Sequence, residues 1–410
     1  MPDEVQPQST IATAQEAATF QWDSGTLAPG IGIALSGGGF RAMLFHAGVL
    51  ARMNELGLLS RAQRIASVSG GSIIAGHLAL CWSALGAANG NHVFANFKGI
   101  VVEPILAFSR QSIDVVDALT GLLPWTSASD QVAQSYDKFL LHKKTLQDLP
   151  DSPRFVFCAT NLQTGVLWRF SKPYAGDYVV GRIDKPAIPV AQAVAASSAF
   201  PPVLSPCVLQ FPPISFISWP GTQTIPPNEI AAYRSKVILT DGGVYDNHGI
   251  EPILKRYLTN FVSDGGAPFG RSADLHTDWI SQLRRILDVE DNQVRALRRR
   301  DLVARFIAGN KVGDETKLTD GYARMGAYWG IDTDPGKIDP PNALPCDPDL
   351  VHGLAHVSTR LSDLGELLSK QIINWGYVVT DRSIRKNYTG PINAAPPPVL
   401  PYPEAKITRT

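Results

Sequence analysis

The chain has 410 residues, of which 44% are hydrophobic and 18% charged, and Lys plus Arg balances Asp plus Glu at 37 each. That length supports one large core with insertions, or two domains. The zero formal charge excludes a strong general field toward nucleic acid or anionic lipid. No apolar run reaches the ~20 residues of a membrane-spanning helix, so contact with a membrane is expected to be peripheral.

Residues 1–30 read as a polar leader without the basic-then-apolar plan of a secretory signal, which places the chain in the cytoplasm. The apolar string IGIAL then predicts a strand buried on both faces, as in the middle of a parallel sheet. Ser36-Gly37-Gly38-Gly39-Phe40-Arg41-Ala42 follows, and Met43, Ala47, Leu50 and Met53 recur at helical spacing until Gly57. A second strand, Ile65 to Val68, runs into Ser69-Gly70-Gly71-Ser72 and an almost wholly apolar helix, IIAGHLALCWSAL. Strand, helix, strand, helix at this spacing predicts an α/β fold with parallel strands.

Residues 90–150 read as mixed helix and loop, and RFVFCAT and VLWRFS form a hairpin around NLQTG. PVAQAVAASSAFPP begins as an Ala-rich helix and stops at Pro201-Pro202. The Pro- and aromatic-rich stretch 211–229 is an irregular loop, either an insertion packed on the body or a lid or interfacial anchor. VILTDGG (237–243) is another buried strand, residues 279–306 one long helix or two, and 353–376 helical again. The expected organisation is a leader (1–30), a catalytic core (31–260), a helical portion of the same domain (261–390) and a Pro-rich tail (391–410). Cys81, Cys158, Cys207 and Cys346 lie far apart with no metal-ligand spacing, and read as thiols of a reducing compartment. Neither a metal nor a cofactor is expected.

Three glycines between a strand and a helix allow a sharp turn that aims backbone N–H groups and a helix N-terminus at one point, a site for negative charge. Gly37-x-Gly39-x-x-Ala42 satisfies the spacing of a dinucleotide fingerprint, but that reading requires a ribose-binding carboxylate at the end of the next strand. That strand ends in Ser67-Val68-Ser69-Gly70-Gly71, with no Asp or Glu. A serine between a buried strand and a buried helix is the layout of a nucleophile elbow, here S-x-S-x-G instead of G-x-S-x-G. The negative charge to be bound is then a transient oxyanion.

Such a serine needs a base. His46, His77 and His248 read as packed or hydrogen-bonded histidines, whereas Asp241 stands at a strand end, where the active sites of parallel sheets gather. A Ser69–Asp241 dyad with Gly37, Gly38 and Gly39 as oxyanion donors follows. The second D-G-G string, Asp264-Gly265-Gly266, is set aside because it follows a less cleanly apolar stretch. Arg295, Arg298, Arg299, Arg300 and Arg305 are interleaved with Asp288, Glu290, Asp291 and Asp301, which predicts a solvated, ion-paired helix. Phe108, Trp125 and Trp168 read as core aromatics, with an apolar pocket lining as the alternative.

In this order, SGGGFRA, the serine elbow, ASSAFPP and DGGVYDN resemble the patatin-like phospholipase family, and SGGGFRA with SGGS is also similar to the cytosolic phospholipase A2 catalytic domain. The resemblance runs from about residue 30 to 260, and INWGY (373–377) looks familial too. It implies a three-layer α/β core with a mainly parallel central sheet flanked by helices and a helical C-terminal elaboration. It also implies a lipid acyl hydrolase acting on phospholipid or other lipid esters, with Ser69 as nucleophile, Asp241 as base and the Gly37–Gly39 amides as oxyanion hole. Arg41 maps onto the arginine that holds the substrate phosphate. Ser67 for Gly departs from the family elbow, and Ser36, where patatins often carry Asp, points toward the phospholipase A2 side. A histidine-triad esterase for small soluble esters and a non-catalytic lipid-binding scaffold remain as alternatives.

Overall fold

A computed structural model describes residues 27–111, 113, 127–218, 225–319, 321–358, 361–393 and 397–409. Most of the leader, Trp125 and part of the 211–229 loop lie outside the described residues. Among those described, the strands are β1 (Ala28–Leu35), β2 (Ala62–Val68), β3 (Arg154–Asn161), β4 (Val166–Phe170), β5 (Tyr174–Asp177), β6 (Gly181–Asp184), β7 (Cys207–Gln210), β8 (Lys236–Asp241), β9 (Tyr257–Asp264) and β10 (Met325–Gly330). The helices that matter for the site are α1 (Gly39–Glu55), α2 (Gly70–Cys81), α3 (Val190–Ser197), α4 (Gly243–Asp246), α5 (Trp279–Val312), α6 (Pro348–Ala355) and α7 (Glu366–Asn387).

Strand periodicity sends alternate side chains to opposite faces of a single sheet, into one large core and two smaller clusters, one of them Val68, Val156, Cys158 and Leu167. Ile33, Leu35, Ile65 and Phe261 enter the larger core, while their neighbours Ala34, Ala66 and Val262 enter a smaller one on the other face. The strand order is β10-β9-β1-β2-β3-β4-β5-β6. From β10 to β3 every pairing is parallel; from β3 to β6 every pairing is antiparallel. The parallel plan therefore holds for one half of the sheet, because the β3–β4 hairpin reverses the chain. The expected boundary near residue 260 falls inside β9, and the C-terminal portion adds β10 to the sheet as well as helices.

α1 and α7 pack against each other over the larger core. A Cβ on Gly48 would strike the Ile373 carbonyl, and one on Gly376 would strike that of Phe45, so the INWGY segment is where two helix backbones nearly touch. Arg52, buried beside them, gives Nε and Nη2 to Asp381 Oδ1 at 2.9 and 2.6 Å. On the other face a single 34-residue helix, α5, sends Leu302 and Phe306 into the smaller core, while Trp279 and Leu283 near its start are exposed. The helical stretch expected over 353–376 is two helices, separated by a segment ending in Gly365 at φ 81°. Trp168 and Phe108 are both buried, Trp168 among Phe170, Phe211 and Phe216. All four cysteines are unpaired. Among the described residues no helix is long and apolar enough to cross a membrane.

Candidate active site

The two glycine turns expected from the sequence are nested. β1 and β2 are parallel neighbours, with Leu35 opposite Ser67, so their C-terminal tips release Ser36–Gly39 and Ser69–Gly71 side by side. A Cβ on Gly70 would land on the Gly39 carbonyl oxygen, and one on Gly71 would meet the carbonyl oxygens of Leu35 and Ser36. A Cβ on Gly37 would stand 2.5 Å from Asn247 Oδ1 and 3.1 Å from the Cβ of Ser69, so the bare Gly37 lets Asn247 and the serine elbow pack close to the loop. Ser69 itself sits at φ 51°, ψ −123°, which L residues avoid and which costs on the order of 1–3 kcal/mol. Such strain is the mark of an elbow that holds a hydroxyl clear of the sheet.

A chain of hydroxyls braces the elbow. The Ser69 amide donates to Ser197 Oγ at 3.0 Å; Ser197 Oγ donates to the Cys158 carbonyl at 2.7 Å and meets Ser72 Oγ at 2.8 Å. Ser72 Oγ in turn reaches Ser67 Oγ at 2.9 Å. The residue that departs from the G-x-S-x-G pattern is thus accommodated with its hydroxyl bonded. Ser72 and Ser197 were legible only as parts of small-residue strings, and nothing in their spacing announced the link.

Asp241 does reach Ser69, but not by the parallel route expected. β8 runs antiparallel to β3, pairing Asp241 with Ala159, while β2 pairs Val68 with Cys158. β4 occupies the other edge of β3 over the same residues, so β2 and β8 share one edge and meet head-on. Their last residues therefore face each other, and Ser69 follows directly from β2.

The Asp241 carboxyl is buried, and burial pushes its pKa up to about 6 against the pull of the Gly243 amide and the Ser69 hydroxyl. Oδ1 accepts the Gly243 N–H at 2.7 Å, whereas among the described residues Oδ2 has no aligned hydrogen bond. The Ser69 hydroxyl is thus near enough to favour the carboxylate but is not in line with it.

Of the three glycine amides expected as donors, Gly37 N–H is already given to the Asn247 carbonyl at 3.1 Å. Gly38 (φ 139°) and Gly39 (φ 59°) open α1, and among the described residues nothing accepts their N–H groups. Arg41, in the first turn of α1, is buried behind the loop: Nε and Nη2 donate to the Gly265 carbonyl at 3.3 and 2.9 Å, and Nη1 to those of Ala355 and Val357 at 3.3 and 2.5 Å. Burial lowers its pKa to about 10.

The histidines are engaged elsewhere. His46 places Nδ1 on Ser263 Oγ and Nε2 on the Ser36 carbonyl, both at 3.0 Å, and burial lowers it to about 4. His77 contacts the Ile100 carbonyl at 3.1 Å, and His248 meets Asp264 Oδ2 at 3.2 Å. Beside the loop, Phe40, Phe108 and Tyr136 form an edge-to-face series with centroids 5.5 and 6.2 Å apart. Within α5, Arg295 pairs with Asp291 and Arg305 with Asp301, as expected, whereas Arg298 and Arg299 pair off the helix with Glu251 and Asp332, and Arg295 and Arg298 also reach the buried carboxylates of Asp264 and Asp246.

A two-sided α/β fold whose parallel strand tips present a strained serine beside free glycine amides defines a class of serine-elbow proteins. Residues 33–254, more than half the chain, match the family described as patatin-like phospholipase, and the chain belongs to that family. It is 52% identical over 46 residues, 11% of its length, to the putative meiotic phospholipase SPO1 of Saccharomyces cerevisiae, of which those residues make up 7%. In fold it is similar to human GIVD cytosolic phospholipase A2, with a TM-score of 0.50 and 14% identity, over 92% of this chain and 61% of that one. A weaker similarity, TM-score 0.36 at 15% identity, is to VipD from Legionella pneumophila, over 89% of this chain and 72% of that one. The chain spans less than two thirds of the length of the first two relatives.

Proposed function

We propose that the chain is a lipid acyl hydrolase, phospholipase A-like, which cleaves carboxylic esters through a Ser69–Asp241 dyad. The observation that carries this reading is a serine at φ 51° just past the end of β2, where β2 meets the end of β8 and its Asp241 carboxyl, whose pKa burial raises to about 6. Ionised at neutral pH and poised near it, Asp241 takes the Ser69 proton as the hydroxyl attacks the ester carbonyl. The Gly38 and Gly39 amides stabilise the oxyanion, while Gly37 lets the serine elbow pack close to the loop. The proton passes to the leaving alcohol, and water, activated by the same carboxylate, releases the acyl group. Each oxyanion donor is worth roughly 2.7–4 kcal/mol in such sites.

The aromatic series from Phe40 to Tyr136 gives an acyl chain an apolar wall. Arg41 serves a substrate phosphate through its charge rather than by contact, since its donors are held on carbonyl oxygens. Residues 31–390 act as one catalytic unit, because β9 and β10 complete the sheet. The free thiols favour a reducing compartment, and a lipid ester would be met at a membrane surface. A histidine triad is disfavoured: among the described residues no histidine nitrogen hydrogen-bonds Ser69.

Purified protein and Ser69→Ala, each incubated with a fluorophosphonate probe and with phosphatidylcholine vesicles, test the reading. Labelling and fatty-acid release by the parent, both lost in the variant, are expected. Equal release by the two would remove Ser69 as nucleophile, and no release by either would favour a non-catalytic scaffold.

A further inference from the structure

The second D-G-G string is not idle. Asp264 ends β9, which lies on the other side of β1 from β2, with Leu35 opposite Ser263. Its carboxylate is buried and accepts the Tyr328 hydroxyl at 2.9 Å, Arg295 Nη2 at 3.1 Å and the Gly266 amide at 2.9 Å, with His248 Nε2 at 3.2 Å.

Two arms lead from this carboxylate to the glycine loop. Through its own chain, Gly265 N–H donates to Ser36 Oγ at 2.7 Å, and the Gly265 carbonyl holds Arg41 and lies under Gly38, where a Cβ would come within 2.7 Å of it. Through His248, it fixes the residue following Asn247, whose carbonyl takes the Gly37 N–H at 3.1 Å. His248 is fully enclosed, and among the described residues its Nδ1 has no hydrogen-bond partner. Among the described residues the ring is thus hydrogen-bonded at one nitrogen, to Asp264, and packs edge-to-face on Tyr328 with centroids 5.8 Å apart.

The geometry points to Asp264 and His248 as positioning residues of the oxyanion loop: they clamp Ser36–Gly38 from two sides so that the Gly38 and Gly39 amides face the reacting carbonyl. Neither residue touches substrate. The inference rests on the proposed dyad and extends it by naming what aims the loop. Arg295 and Tyr328 hold the carboxylate itself, and the loop receives its constraint through Gly265 and Asn247.

The test uses the full chain with Asp264→Asn, His248→Leu and His248→Gln, the last retaining an N–H toward Asp264. Active sites are counted by fluorophosphonate labelling carried to completion, and turnover of a p-nitrophenyl ester is followed from pH 5 to pH 8. Asp264→Asn and His248→Leu should lower kcat per labelled site by about 10- to 100-fold, with KM within about threefold and the acid limb of the profile unmoved. His248→Gln should return kcat to within about threefold of the parent. If Asp264→Asn fails to fold, the two His248 variants carry the test. Parental kcat per labelled site in His248→Leu overturns the proposal, as does a loss shared equally by Leu and Gln. An inactive parent, or an active Ser69→Ala, overturns the dyad and this inference together.

Discussion

Replacing Asp241 by Asn should separate activity from stability, because the same burial that tunes the base burdens the fold. Its carboxyl lies at about 6 in the folded chain against an ordinary 3.8, so the folded state holds this proton more tightly than the unfolded state. Its contribution is therefore most favourable below pH 3.8, falls as pH rises toward about 6, and stays at the lower level above. The distance from 3.8 to about 6, at 1.36 kcal/mol for each pH unit, makes the ionised carboxylate a burden of about 3 kcal/mol at neutral pH. Asparagine has the same shape and no charge. Its carbonyl replaces Oδ1 on the Gly243 amide, while its NH2 stands where Oδ2 now lacks an aligned partner, an unsatisfied donor costing about 1–2 kcal/mol. The net gain for Asp241→Asn at pH 7 is then about 1–2 kcal/mol; at pH 4 the burden on the parent has fallen to about 0.5 kcal/mol, so the gain is gone and the variant is the less stable by about 1 kcal/mol. Urea unfolding at both pH values, with ester turnover measured alongside, checks this. Turnover should fall about 10²- to 10⁴-fold. A variant less stable than the parent at pH 7, or one whose advantage is the same at pH 4, would refute the burial argument. Full turnover would remove Asp241 as the base.

The pH profile of kcat/KM should show an acid limb with its midpoint at about 6, so that activity falls about tenfold from pH 7 to pH 5; a flat profile over that range contradicts a carboxylate base. Ser67→Gly restores the family elbow but removes the hydroxyl 2.9 Å from Ser72, so urea titration should show a loss of about 1 kcal/mol while turnover stays within about threefold. Gly70→Ala drives a methyl into the Gly39 carbonyl and should abolish fluorophosphonate labelling and lower the melting temperature; normal labelling would mean that the two turns are not nested. Arg52→Leu strands the buried Asp381, although Arg385 still pairs with its other oxygen at 3.0 Å, so a stability loss of about 3 kcal/mol is expected with turnover per folded molecule unchanged.

What the sequence revealed and what it hid divide along the range of the interactions. The strand-to-turn-to-helix units around Ser36–Gly39 and Ser69–Gly71 were legible because apolar runs, glycines and helical spacing are local signals. Ser69 and Asp241 were both read at strand ends, but the parallel route assumed to bring them together is one the structure replaces. A strand's direction depends on its partners, and nothing in VILTDGG says that β8 runs against β3 and meets β2 end to end. The serine bridge through Ser72 and Ser197 joins residues 125 apart in the chain, a link no spacing encodes. Gly37 looked equivalent to its neighbours until the Asn247 carbonyl claimed its amide. Arg41 is the sharpest case: the resemblance assigned the arginine to a substrate phosphate, yet the guanidinium donates to the carbonyls of Gly265, Ala355 and Val357, which no local signal could place beside it.

The two D-G-G strings show why a motif alone does not assign a role. Both carboxylates end buried strands next to a glycine turn, and both lose their water. Around Asp241, among the described residues, no cation replaces that water, so burial dominates and the group rises to about 6, into the range where it can take and return a proton. Around Asp264, Arg295 and His248 outweigh burial and hold the carboxyl well below its ordinary range, with Tyr328 hydrogen-bonded to the same carboxylate. A group so strongly held as an anion is a poor proton carrier at neutral pH and a good fixed anchor. Arg295, brought by α5 from 31 residues beyond Asp264 in sequence, and His248 therefore separate the proposed base from the proposed strut, and exchanging the chemistry of the two sites would require moving those charges rather than the aspartates.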